Sequence, residues 1–214
     1  MSPRARSGPQ RLRAHLVAEG ITDARVLDAL TKVPRSQFCH PRDRRFAWRD
    51  EVLPLGHGAT LSQPWVVATM LEALDVQPLE QVLDVGSGSG YTTAVLATLG
   101  ARVVALELEP ALVDRARCTL AALEIEAPTH CGDAWDASLT GGPFDAILVS
   151  AAAPEVPNAL LELLAPGGRI VAPLGDDEQQ ELVLISHDPQ EDELVHESLA
   201  SVVFVPLRDM RPFA

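Results

Sequence analysis

Apolar residues recur at helical spacing through the first third of the chain and then give way to short, almost wholly apolar runs. Residues 11–19 and 23–31 read as two short helices separated by Gly20, the second with Val26, Leu27 and Leu30 on one face. Pro34 and Pro41 bracket an irregular stretch, and Pro54, Gly56 and Gly58 mark 52–61 as a loop. Ser62-Gln63-Pro64 predicts a helix start, a capping hydroxyl followed by a proline in the first turn. Val66, Val67, Met70, Leu71 and Leu74 supply that helix with a core-facing stripe.

From Gln81 the period changes. VLDV (82–85) is a strand, GSGSG (86–90) a glycine turn, and Tyr91–Leu99 a helix. RVVALEL (102–108) is a second strand, followed by a helix with Leu112, Val113, Ala116, Leu120 and Leu123. Further strands are expected near 128–131, over FDAILVS (144–150), and at 169–174, 181–186 and 201–207. A helix over 155–164 ends at Pro166-Gly167-Gly168. Alternating strands and helices predict an α/β fold with a mainly parallel, doubly wound sheet. No helix separates the last two strands, which predicts an antiparallel C-terminal edge. Residues 1–75 form an N-terminal helical extension and loop, and 76–214 the core, in one compact unit.

Composition narrows the class. The chain has 214 residues, 47% hydrophobic and 22% charged, which excludes a disordered protein and suits a single buried core. No apolar run reaches the roughly 18–20 residues of a membrane helix, and the Arg-rich start leads into no secretory signal. Cys39, Cys118 and Cys131 are an odd set without a C-x-x-C pair, so neither a disulfide framework nor a zinc site is expected, and the cytoplasm is the default. Net charge is −13, but residues 1–50 carry 11 Lys and Arg against 5 Asp and Glu. The acidic remainder argues against nucleic acid as a partner. The basic segment is either a solvated surface or a patch for an acidic partner.

The chemistry concentrates in DVGSGSG (84–90). Its glycines allow a tight turn and close approach of a ligand to the backbone, ahead of a helix N-terminus. A structural turn, a dinucleotide site and an S-adenosylmethionine site all use such glycines. The spacing is G-x-G-x-G, not G-x-G-x-x-G, and Asp84 precedes it where a pyrophosphate would be repelled and a cationic amino group attracted. Glu107 ends the second strand, where a carboxylate can accept from both ribose hydroxyls, with Glu109 as competitor. Asp133 is either at the adenine edge, with Trp135 or a neighbour over the ring, or a loop-capping aspartate.

LPLGHGATLSQPWVVATMLEAL (53–74) is similar to the substrate loop and helix of protein-L-isoaspartate O-methyltransferases. VLDVGSGSGYTTAVLATL (82–99), PFDAILVSAAAPEVP (143–157) and FVPL (204–207) follow that family in the same order, and 20–38 resembles its helical extension. The resemblance covers most of the chain, and T-L-S-x-P at 60–64 is its most specific part. It implies a Rossmann-like core, S-adenosylmethionine as donor with S-adenosylhomocysteine as product, isoaspartyl proteins and peptides as acceptors, and a monomer. On this resemblance Ser62 is catalytic, with Thr60, Leu61 and Gln63 at the acceptor. Asp84, Gly86, Ser87, Gly88, Glu107, Leu108, Asp133 and Ala134 hold the donor, and no metal is expected. The sequence departs from the pattern at Ser87, where Thr is usual, at Ala134, where Gly is usual, and in VSAAAPEVP. Ala134 narrows the pocket, or strains the backbone if a positive φ is required.

A carboxylate acceptor is already nucleophilic at pH 7, so no general base is needed, and His57 reads as a loop residue. Three other readings remain: a carboxyl methyltransferase of the same fold with another acid as acceptor, a non-catalytic S-adenosylmethionine-binding module, and a nicotinamide oxidoreductase. The intact 60–64 segment and the glycine spacing count against the last two.

Overall fold

A computed structural model describes residues 8–176, 178–187 and 194–208. Arg4 and Arg6 of the basic segment lie outside these. Two helices, α1 (Gly8–Ala18) and α2 (Ala24–Lys32), open the chain. Asp23 caps α2, its carboxylate accepting from the N–H groups of Arg25 (2.7 Å) and Val26 (3.4 Å). After irregular turns come two short strands, β1 (Leu53–Gly56) and β2 (Ala59–Leu61), and α3 (Pro64–Leu74). The stretch 52–61, read as a loop, is therefore an antiparallel hairpin whose turn holds Gly56, His57 and Gly58 at positive φ. It is too short for alternation to show.

The core follows as β3 (Gln81–Val85), α4 (Tyr91–Thr98), β4 (Arg102–Glu107), α5 (Pro110–Ala122), β5 (Thr129–Cys131) and β6 (Phe144–Val149). It closes with α6 (Asn158–Leu161), β7 (Leu164–Gly175), β8 (Gln180–His187) and β9 (Leu194–Val202). The sheet order is β5-β4-β3-β6-β7-β8-β9, parallel through β7 and antiparallel beyond. The order reverses between β3 and β6, where a crevice opens at the carboxyl ends of the strands.

Successive residues of β3 face opposite sides, so Val82 and Leu83 belong to different cores. Val82, Leu148 and Val171 pack under Leu16, Leu30, Leu71 and Leu96, so one hydrophobic core joins the helical extension to the sheet. Leu83, Ile147 and Ile170 on the other face meet only a thin cover from α6 and the 3-10 segment 134–140. Arg169 adds a polar tie, donating to the Leu74 and Asp75 carbonyls and, in a pair of bonds, to Glu80.

Two C-terminal expectations need correction. The helix over 155–164 is a single turn, because Pro157 starts it late and Leu164 already enters β7. Pro166-Gly167-Gly168 is a bulge in that strand, lying between the Phe144–Leu164 and Ala146–Arg169 pairs. The strand placed at 201–207 instead ends at Val202. Its body, residues 194–202, mixes apolar and polar residues without alternation and is mostly exposed at the sheet edge, which hides it from a hydrophobic pattern. Val203–Arg208 then crosses back over the rim, held by Ala152 N–H to Val205 O (2.9 Å) and Leu207 N–H to Ala152 O (2.6 Å).

Candidate active site

The glycine turn occupies the rim above β3. Gly86 (φ 70°) and Gly90 (φ 83°) sit in the left-handed region, and a Cβ on Gly90 would lie 3.2 Å from that of Ala116. Gly86 and Ser87 both donate to Leu106 O, bending the chain across the end of β4. Glu107, buried at the end of β4, accepts from Gly88 N–H (2.8 Å) and Glu109 N–H (2.9 Å), one on each carboxylate oxygen. Its competitor Glu109 caps α5 through Ala111 N–H and pairs with His57 at 3.6 Å.

A cleft of about 260 Å³ opens beside this turn. Gly86, Gly88, Glu107 and Leu108 line it, with Gly132 and Ala134 at one end and Ser150 and Ala151 at the base. The hairpin contributes Gly58, Ala59 and Thr60, and the crossing C-terminal segment contributes Val205–Arg208. Asp84 lies behind the turn and does not line the cleft. Its Oδ2 accepts from the Thr93 hydroxyl at 2.6 Å, while Oδ1 is buried with no partner. Burial, reinforced by the nearby Glu107 charge and opposed by the Thr93 bond, pushes its carboxyl up to about 7. The hydroxyls of Ser87 and Ser89 are likewise buried and unpartnered.

Asp133 takes the capping role, its Oδ1 accepting from Trp135 N–H at 2.9 Å. Trp135 packs into the thin-side core and does not line the cleft. Ala134 lies outside the positive-φ set, so its methyl costs the backbone nothing.

A second cleft, of about 640 Å³, adjoins the first, and Thr60 and Val205 line both. Its other walls are Val52, Ser62, Gln63, Trp65, Val66 and Ser201–Phe204. Leu61 points into the core and lines neither. The helix cap expected of Ser62 is absent: the N-cap is Gln63, and Ser62 lies one residue further out. Asp50 serves instead from 15 residues upstream, its Oδ1 accepting from Trp65 N–H and its Oδ2 from Gln63 Nε2, both at 2.7 Å. Among the described residues no partner holds the Ser62 hydroxyl.

Sequence patterns missed Asp50, because a cap supplied from another segment leaves no local spacing. They also missed Val52, Val203 and Phe204, which reach the cleft only through the chain crossing. Gln180 clamps that crossing, exchanging bonds with the Phe204 backbone at 2.6 and 3.3 Å.

A family model, Protein-L-isoaspartate(D-aspartate) O-methyltransferase (PCMT), matches residues 8–211. A protein-L-isoaspartate O-methyltransferase of Roseiflexus sp. (strain RS-1) is 47% identical, over 90% of this chain and 88% of its own. One of Methylorubrum populi is 45% identical over 92% of each. Among solved structures, a Plasmodium falciparum protein described as such an enzyme, in complex with S-adenosyl-L-homocysteine, has a TM-score of 0.80 at 26% identity. It covers 95% of this chain and 99% of that one. With the glycine turn, the buried acids and both clefts in place, the chain belongs to the protein-L-isoaspartate(D-aspartate) O-methyltransferase family.

Proposed function

We infer that this protein transfers a methyl group from S-adenosylmethionine to the free carboxylate of L-isoaspartyl residues in proteins and peptides. The observation that carries this is the pair of clefts meeting at Thr60 and Val205, with a free Ser62 hydroxyl in the second. The first cleft suits the donor: a backbone cradle, a carboxylate for hydroxyl groups, and unsatisfied buried oxygens of Asp84, Ser87 and Ser89 nearby. The backbone of the glycine turn would hold the amino-acid end, with Asp84 behind it as a countercharge, Glu107 the ribose, and Leu108, Gly132 and Ala134 the base. When bound, the donor supplies an electrophilic methyl group on a sulfonium.

The chain's own residues then have three tasks. Ser62 and Gln63 orient the acceptor carboxylate, which is ionised at neutral pH and needs no base. Trp65, Val66 and Phe204 give the second cleft an apolar lining that displaces water from the nucleophile. The Thr60–Val205 junction sets the line along which donor and acceptor meet, and such alignment can be worth several kcal/mol of barrier. The ester product closes to a succinimide without help from the protein, and its hydrolysis returns part of the residue to normal aspartyl.

Cys39, Cys118 and Cys131 are all free thiols, which suits a reducing compartment, so the reading places the protein in the cytoplasm as a monomer. Among the described residues no helix is long and apolar enough to cross a membrane. The test is methyl incorporation into an isoaspartyl peptide and its normal aspartyl twin. Base-labile methyl ester on the first alone is expected, and equal labelling or none would overturn the reading.

A further inference from the structure

Arg35, in the turn after α2, is the largest fully buried side chain among the described residues, with 0% exposure. Among the described residues no carboxylate bonds its guanidinium, and Asp50 acts on it only at a distance. Nε donates to Ala47 O at 3.0 Å, Nη1 to Ser62 O at 2.9 Å, and Nη2 to Glu51 O at 3.0 Å. Burial draws its pKa down from the ordinary arginine value. Enclosing a charge with no carboxylate bonded to it is costly, and an apolar side chain of similar size would fill the space without that cost.

The three bonds gather two separate stretches of chain. Residues 47–51 lead into Val52, which neighbours Ser62 at the open end of the β1–β2 hairpin, where Leu53 pairs with Leu61, and both line the second cleft. The planar fork therefore ties the entry and the exit of that hairpin to one buried point, with directions a single ammonium cannot reproduce. The Arg35 Cζ also lies 5.3 Å from the ring centre of Tyr91, the first residue of α4 after the glycine turn. Phe38 meets the same ring edge-on at 5.6 Å. One buried cation thus touches both clefts' supports and lines neither.

We propose that Arg35 is a positioning residue for methyl transfer, fixing Ser62 relative to the glycine turn so that acceptor and donor align. This rests on the isoaspartyl reading above and extends it to a residue outside the site. The experiment is a double-mutant cycle of Arg35→Lys and Ser62→Ala, with kcat and KM for an isoaspartyl peptide and donor affinity by calorimetry. Arg35→Met repeats it without the charge, and rates are taken per donor-binding molecule.

Arg35→Lys should lower kcat/KM by about 10- to 100-fold, carried mostly by kcat, with donor Kd within about twofold of wild type. In the Ser62→Ala background the same change should cost less than about threefold, since the hydroxyl it positions is gone. Additive losses, or a loss that follows stability alone, would overturn the proposal. So would two variants that fail to fold even with saturating donor, which would make Arg35 a folding residue. An inactive wild type would sink the isoaspartyl reading itself, and that control is read first.

Discussion

The two clefts share a wall and are built in opposite ways. The first is made of backbone: glycines, strand ends and one carboxylate held by two N–H groups, all resting on the parallel sheet. The second is made of side chains from three distant segments, with Val203 92% exposed and Val52 half exposed. A donor of one fixed shape can be met by a rigid backbone cradle. An acceptor that recurs in many sequences needs an apolar, accommodating surface and few fixed polar groups. Position along the chain follows the same division, since the first cleft is mostly local to strand ends and the second depends on chain crossings.

The comparison breaks most readily at Glu107. In Glu107→Gln the amide can still accept one of the two backbone N–H bonds, but its NH₂ opposes the other. Donor affinity should fall by about 2–3 kcal/mol, near 100-fold in Kd, because a charge-assisted acceptor is replaced and a buried donor left unpaired. Calorimetric titration checks it, and an unchanged Kd would mean the turn does not need this carboxylate.

Ser62 and Asp50 sharpen the contrast on the acceptor side. Ser62→Ala should cost about 1.4–2.7 kcal/mol in kcat/KM while leaving donor binding and stability alone, since the hydroxyl caps nothing. Asp50→Ala should do the reverse in part, costing about 1–2 kcal/mol of stability through the lost cap of α3. Denaturant midpoints beside peptide kinetics separate the two. A stability loss in Ser62→Ala would restore the cap.

Asp84 gives the donor side a pH signature. Its folded carboxyl titrates at about 7, above the ordinary range, so the folded donor-free protein holds a proton that the unfolded chain releases. That contribution to stability is fully present below the unfolded value, near pH 4, and disappears as pH rises through about 7. Donor affinity should move the other way, strengthening between pH 6 and 8 with proton release, as a cation favours the ionised acid. Asp84→Asn should flatten both curves. Calorimetry in buffers of different ionisation enthalpy measures the released proton, and none at pH 7 would remove Asp84 from the donor's surroundings.

The smallest expected effect concerns the basic stretch before Val52. Arg42, Arg44, Arg45 and Arg49 are exposed, with Arg45 and Arg49 stacked on Phe46. Turnover of an isoaspartyl peptide with acidic flanks should fall about two- to threefold between 50 and 500 mM salt, and a basic-flanked peptide should not respond likewise. Equal responses would leave these arginines as a solvated surface.

Period and glycine spacing were enough for the strands and the turn beneath the first cleft. VLDV, GSGSG and RVVALEL each fold as read, because a buried parallel strand and a left-handed turn restrict residue type directly at the positions that form them. Gly86 and Glu107 were legible as neighbours on one rim for the same reason, as each stands at a strand end beside the first cleft. Even so, the sequence left open whether Asp133 caps its loop or faces a ligand, and it placed Asp84 in the site without revealing its burial behind the turn.

Only the tertiary structure decided the second cleft. Asp50 arrives from another segment to cap α3 beside Ser62, and the two ends of the hairpin are tied together by Arg35 bonding carbonyls up to 27 residues away. The cleft's far wall depends on residues 203–208 returning across the rim to Ala152. These are single long-range hydrogen bonds that impose no periodicity on their neighbours, so the chain carries no local pattern for them. Local backbone preference sets strands and turns within a few residues, whereas contact between distant side chains exists only once the core has closed.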